Sequence, residues 1–227
     1  MSPACMKTRQ RQRGLSMVEL LIGAAIGLVV AAAAAKLLAG HLRESRSLLL
    51  EARLMQDLRT ATDLVTRDLR RAGYWGAAAS GVWLSGASGV LPNPYTALPP
   101  GSAASDTISF QFSRDASETN NVDSNERFGF RLRNGALDMQ FGAAGWQAVT
   151  DTTVLTVTAF RITPTTQSVS LAGYCAQACT GAACPQQQVR SLAVQLTGRA
   201  VADANVSRST HSEVRLRNDT VVGTCPT

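Results

Sequence analysis

Arg11-Gln-Arg-Gly-Leu-Ser-Met-Val-Glu-Leu-Leu21 divides the chain. A basic, polar segment ends at Gly14, and apolar sequence then runs on to Ala35. One carboxylate, Glu19, sits inside that stretch, five residues past Gly14. A charge placed in hydrocarbon is costly and is usually retained for a function. Leu15 to Ala35 is 21 residues. As a helix it would rise roughly 32 Å, close to the ~30 Å hydrocarbon thickness of a bilayer. Lys36 falls at the far interface, where its amine reaches water along the aliphatic stem. Gly23 and Gly27 form a G-x-x-x-G pair that permits close helix contact, although glycine and alanine are common throughout this stretch.

The formal net charge of +6 is concentrated at the start: Lys7, Arg9, Arg11 and Arg13 supply four of the positive charges. A chain beginning at Leu15 is close to neutral, so charge gives no basis for a nucleic-acid partner. The four cations place the N-terminus in the cytoplasm, and everything beyond the apolar stretch is then exported. Cys5 lies before the junction, with no apolar segment ahead of it to make it a lipoprotein acceptor. Cys175, Cys179, Cys184 and Cys225 lie late in the exported part. Four cysteines in an oxidising compartment suggest two disulfides. A tetrahedral zinc site is the competing reading, but there is no C-x-x-C pair, and His41 and His211 are distant in sequence. Three disulfide connectivities are open. In any bond to Cys225, the C-terminus is tied back to the 175–184 loop.

From His41 to Ala72 the chain is polar with an apolar stripe. Leu54, Leu58, Ala61, Val65, Leu69 and Ala72 recur at spacings of three and four, one face of an α-helix. No proline interrupts it, and Gly73 is a natural stop. Residues 76–105 are rich in Gly, Ala, Ser and Pro and read as a connecting loop, with Trp75 and Trp83 packed on the helix or sheet. Strand signals follow. Thr107–Phe112 alternates. Phe128–Arg133, Asn134-Gly135 and Ala136–Phe141 form a hairpin with a two-residue turn. Further strands are expected at 146–149, 154–162, 189–197 and 211–217. A long helix followed by strands is an α+β fold with a mostly antiparallel sheet.

Catalytic signatures are missing: the sequence has no G-x-S-x-G elbow, Walker loop or H-E-x-x-H, and no cofactor motif. Asn121, Asp123 and Asn125 have the alternate spacing that opens a calcium loop. The glycine and terminal glutamate of that loop are out of place, so 115–126 reads as a solvated connection and no metal is expected.

The junction at Gly14 with Glu19 resembles the processing and anchor signal of type IV prepilins. Beyond it, Gly14–Leu20, the helix end Asp68-Leu-Arg-Arg-Ala-Gly-Tyr-Trp-Gly76, the Arg131–Ala136 hairpin and Val214–Asn218 resemble the PilW-type minor pilins. The J-type pseudopilins of type II secretion are similar in the same places. The resemblance implies cleavage after Gly14 by a prepilin peptidase, N-methylation of Leu15, and a role for Glu19 in assembly. It implies a leader at 1–14, a transmembrane or fibre-core helix at 15–40, an amphipathic continuation at 41–73 and a β-rich head at 74–227. The implied partners are the peptidase, other minor pilins, the major pilin and the inner membrane. The head would face the periplasm before assembly and the cell surface afterwards. Lys36 stands where many major pilins carry a helix-bending proline, which separates the chain from a major fibre subunit. A conventional signal peptide cut within Ala31–Ala35, releasing a periplasmic binding protein, is the alternative. Against it stand the acid beside the apolar core and a helical pattern that continues past Lys36.

Overall fold

The computed structural model describes residues 16–81, 91–99, 101 and 103–226. Trp83 lies outside them. The chain divides into two compact units, Met1–Leu48 and Leu49–Thr227.

In the described part of the first unit, one element is present: the start of helix α1 (Met17–Leu69, 53 residues). An 18-residue window of α1 reaches a mean hydropathy of 2.3. Every residue from Ser16 to Leu49 is exposed. The helix runs through Ala31–Ala35 and Lys36 without a break.

The second unit begins with the rest of α1. Its apolar stripe is buried as the periodicity requires, with Leu58, Val65, Leu69 and Ala72 fully covered. Beyond Leu69 the chain tightens, with Arg71 N–H donating to Asp68 O and Ala72 N–H to Leu69 O, both at 3.0 Å. It then turns out of the helix at Gly73, whose φ of 78° suits a residue without a Cβ. The Gly73 N–H donates to Gln111 O at 2.9 Å, joining the helix end to the first strand. Trp75 is buried, as its place after the helix suggests.

The strands form two four-stranded sheets where the sequence suggested one. The first has the order β1 (Thr107–Gln111), β2 (Arg127–Arg133), β3 (Ala136–Phe141), β4 (Trp146–Ala148). The second has β5 (Leu155–Ser170), β6 (Gln186–Ala200) and β7 (Ser207–Arg215) in order, with β8 (Thr220–Val222) paired to the start of β6. All pairings are antiparallel. The Asn134-Gly135 turn has φ of 51° and 77°, the mirror-image geometry of a tight hairpin.

The apolar residues of both sheets and of the α1 stripe form one core. Phe110, Phe112, Phe128 and Phe130 stack across β1 and β2, with the Phe112 and Phe128 centroids 4.2 Å apart. Thr62 is polar in the buried stripe. Its hydroxyl bonds Leu58 O at 2.8 Å and the Thr210 hydroxyl at 2.6 Å, fixing α1 to β7.

β5 and β6 outrun their sequence signals. The extra residues of β5, Thr163–Ser170, are mostly exposed, so no alternation marks them. They pair one to one with Gln186–Ala193, whose other edge is taken by β8 at Gln186–Gln188 and by β7 from Ser191. Pro164 is tolerated because β5 is an edge strand.

Candidate functional site

A helix N-terminus leaves backbone donors unpaired. At the start of α1, Ser16 is the residue before the helix and Glu19 is its third residue. The Glu19 carboxylate accepts the Ser16 N–H at 3.4 Å, one half of a capping box. Its negative charge also complements the positive end of the helix dipole. The Ser16-Met-Val-Glu19 spacing carries that signal, which reading Glu19 only as an intramembrane charge had missed. Gly14 and Leu15 lie outside the described residues. A Cβ added at Gly23 or Gly27 would meet nothing within 4 Å, so this face of the helix has room for another helix. His41 and His211 are both exposed.

In the head, the four cysteines form Cys175–Cys225, with Cα atoms 5.4 Å apart, and Cys179–Cys184, 5.7 Å apart. The first closes a separation of 50 residues and fastens the chain end. The second closes a separation of five within the same loop. Thr224 N–H donates to Ala183 O at 3.0 Å, so backbone bonding supports the same fastening.

The acidic segment 115–126 is held by protein donors. Glu126 is fully buried. It accepts the Arg114 N–H at 2.8 Å, the Asp123 N–H at 2.9 Å and the Tyr95 hydroxyl at 3.3 Å. Glu118 accepts the Gly76 N–H at 2.8 Å, and the Tyr95 hydroxyl and Asn120 N–H at 3.0 Å. Trp75 donates its indole N–H to Asn120 at 2.8 Å. Burial pushes the Glu118 carboxyl up, but the bonds from Asn120, Ser113, Gly76 and Tyr95 outweigh it and hold the group below its ordinary value. Burial raises the Tyr95 phenol, and the neighbouring Glu118 and Glu126 charges add to that. Asp115, Asp123 and Glu126 approach within 4.8 Å of one another. Asn121, of the alternately spaced trio, turns its side-chain amide to Thr119 O at 3.3 Å. The segment is a buttress joining the helix end to β1 and β2.

Residues 47–216 match the family profile described as prepilin peptidase-dependent protein B. The chain belongs to that family. Residues 9–35 match the prokaryotic N-terminal methylation motif, which spans Gly14, Leu15 and Glu19. No curated protein and no solved structure matches the chain.

The family and the motif make the chain a type IV pilin-like minor pilin, processed by prepilin peptidase and anchored in a membrane by an apolar N-terminal helix. The α+β architecture agrees: one long N-terminal helix and antiparallel sheets. Pilin-like families are structural proteins. The motif match ends at residue 35 and the family match begins at residue 47, both positions within α1.

Proposed function

We propose that this chain is a minor subunit of a type IV pilus that helps start its assembly. The supporting observation is the exposed apolar surface of α1 from Met17 to Ala35, bearing one acid, Glu19, in its first turn. Such a surface needs lipid before assembly and other helices after it. Prepilin peptidase cuts after Gly14, and Leu15 becomes the methylated N-terminus. The leader is 1–14, the membrane or fibre-core segment 15–40, the amphipathic continuation 41–73 and the head 74–227. The head faces the periplasm from the inner membrane, then the cell surface in the pilus. The two disulfides fit that oxidising side.

Glu19 has the assembly role. A carboxylate taken out of water costs several kcal/mol unless it is paired. Cleavage creates an α-amino group at Leu15, one helical turn away in sequence. The same spacing recurs in every pilin-like neighbour, so pairing between subunits sets the axial register of an incoming helix. The partners are the major pilin and other minor pilins. The J-type pseudopilins of type II secretion are similar in the same places, so the choice of machine rests on the piliation test.

The test compares surface pili in a deletion strain complemented with wild type or with Glu19→Ala, with subunit level and N-terminal processing checked in both. Glu19→Ala is expected to be cleaved and folded yet to leave the pilus count as low as in the deletion. Normal piliation with the variant sinks the pairing role. Normal piliation in the uncomplemented deletion sinks the initiation role and transfers the chain to secretion.

A further inference from the structure

Arg67, Arg70, Arg71 and Arg217 line one cavity of about 430 Å³ at the end of α1, together with Tyr74, Phe112 and Ser113. Residues 49–227 contain fifteen arginines, no lysine and fourteen carboxylates. A nearly neutral head therefore concentrates four guanidinium groups in one place. The negative end of the helix dipole accounts for cations in the last turn. It does not account for Arg217, which arrives from the segment after β7.

The cavity wall is a built structure. Arg217 N–H donates to Ala72 O at 3.3 Å, Tyr74 N–H to Arg71 O at 2.9 Å, and Ser113 N–H to Tyr74 O at 2.9 Å. Three separate chain segments are thereby fixed around it. The Arg71 guanidinium lies 4.1 Å from the Phe112 ring centroid, so its plane is held by stacking. Arg67 is partly neutralised by Asp68 at 3.7 Å. Among the described residues no carboxylate lies within 4.0 Å of a nitrogen of Arg70, Arg71 or Arg217. The Asp68 charge acts on both Arg67 and Arg71, which leaves four guanidinium groups against one carboxylate, an excess that an anion relieves.

We infer that this pocket binds a phosphate group carrying about two negative charges, as a free ion or a terminal monoester. Guanidinium forks match phosphate oxygens in pairs. Three uncompensated cations exceed what a single planar carboxylate calls for, whereas a terminal phosphate carries about −1.5 to −2 at neutral pH. The low net charge of the head argues against a long polyanion drawn in by its overall field. Tyr74, 41 % exposed, lines the same pocket and is the aromatic group near enough to stack on a planar group attached to the phosphate.

The test follows thermal unfolding of the full chain in detergent micelles at constant ionic strength, titrating inorganic phosphate, a nucleoside 5′-monophosphate and acetate. Both phosphates are expected to raise the midpoint saturably, by mass action on the folded state, and acetate is not. Arg70→Gln/Arg217→Gln is expected to weaken the apparent affinity by at least about tenfold, since each lost contact is charge-assisted. Equal effects of the two phosphates assign a free ion. A stronger effect of the nucleotide that Tyr74→Ala abolishes assigns a phosphate carried on a planar ring. General salt stabilisation by phosphate would persist in the double variant, and that persistence overturns the proposal, as does an equal response to acetate. If the double variant does not fold, Arg67→Gln, whose side chain is 72 % exposed, reads the same pocket. Phosphorus NMR line broadening lost in that variant supports the site, and broadening retained rejects it.

Discussion

The two halves of α1 obey opposite rules. From Met17 to Ala35 the helix is apolar apart from Glu19, and it is exposed as far as Leu49. From Leu54 to Leu69 it is polar on most faces, and its single apolar stripe is covered. The second half finds its apolar partners within its own chain, in Phe110, Leu192 and the rest of one core. The described residues of the first half are exposed, and in the function proposed above lipid or other such helices complete its surface. One secondary structure thus serves folding at one end and assembly at the other. Stability of the head and function of the anchor should therefore respond to different substitutions.

The largest separation is expected from the disulfides. Removing Cys175–Cys225 with paired serines should destabilise the head by about 4 kcal/mol in the chain-entropy treatment, and removing Cys179–Cys184 by about 2. Denaturant unfolding without reductant measures both, and equal losses would break the account of the first as the fastening of the chain end. Retention in the membrane fraction should be unchanged, because α1 up to Leu49 holds none of these cysteines.

Next comes a matched pair on the helix. Leu58→Ala, at a fully buried position, should cost about 2–5 kcal/mol of head stability. Ile26→Ala, 60 % exposed in this chain, should cost less than about 0.5 kcal/mol and should instead reduce co-purification with other pilin subunits. A comparable thermal shift from both would erase the distinction between the halves.

A smaller effect concerns pH. The folded Glu118 carboxyl sits below its ordinary value of 4.5. Its contribution is present above that pH and is lost as pH falls through the folded value. Glu118→Gln should therefore be less stable than wild type at neutral pH and show a shallower loss on acidification. An unchanged acid slope would show that the 115–126 buttress is not held by this charge. The smallest effect is expected at Arg208, whose Nε–H donates to Glu51 at 2.9 Å with both side chains 38 % exposed. Such a pair contributes under about 1 kcal/mol, and Arg208→Ala should shift unfolding by no more than that.

These contrasts also explain what could be read from the sequence. The buried stripe of α1 and the Asn134-Gly135 hairpin were legible because each rests on local rules, a period of 3.6 and a turn that demands positive φ. The ends of β5 and β6 were not. Thr163–Ser170 and Gln186–Arg190 are held by pairing with each other, and neither shows alternation. β8 is three residues long and depends on β6 for its existence. The division into two sheets is a matter of which strands meet, which no local pattern encodes. At the anchor, Glu19 was legible as an anomaly of charge, while its cap on Ser16 was written in a four-residue spacing overshadowed by that anomaly. The arginine pocket was half legible: Arg67, Arg70 and Arg71 are neighbours in sequence, but Arg217 joins them only through the fold.

The central claim is that the exposed half of α1 stays with the head as a processed anchor. The most direct measurement is the intact mass and N-terminal sequence of the protein purified from the membranes of its native host. The expected chain begins at methylated Leu15, with Cys175, Cys179, Cys184 and Cys225 oxidised. A chain beginning after Ala33 or Ala35, with the apolar helix gone, would contradict the account.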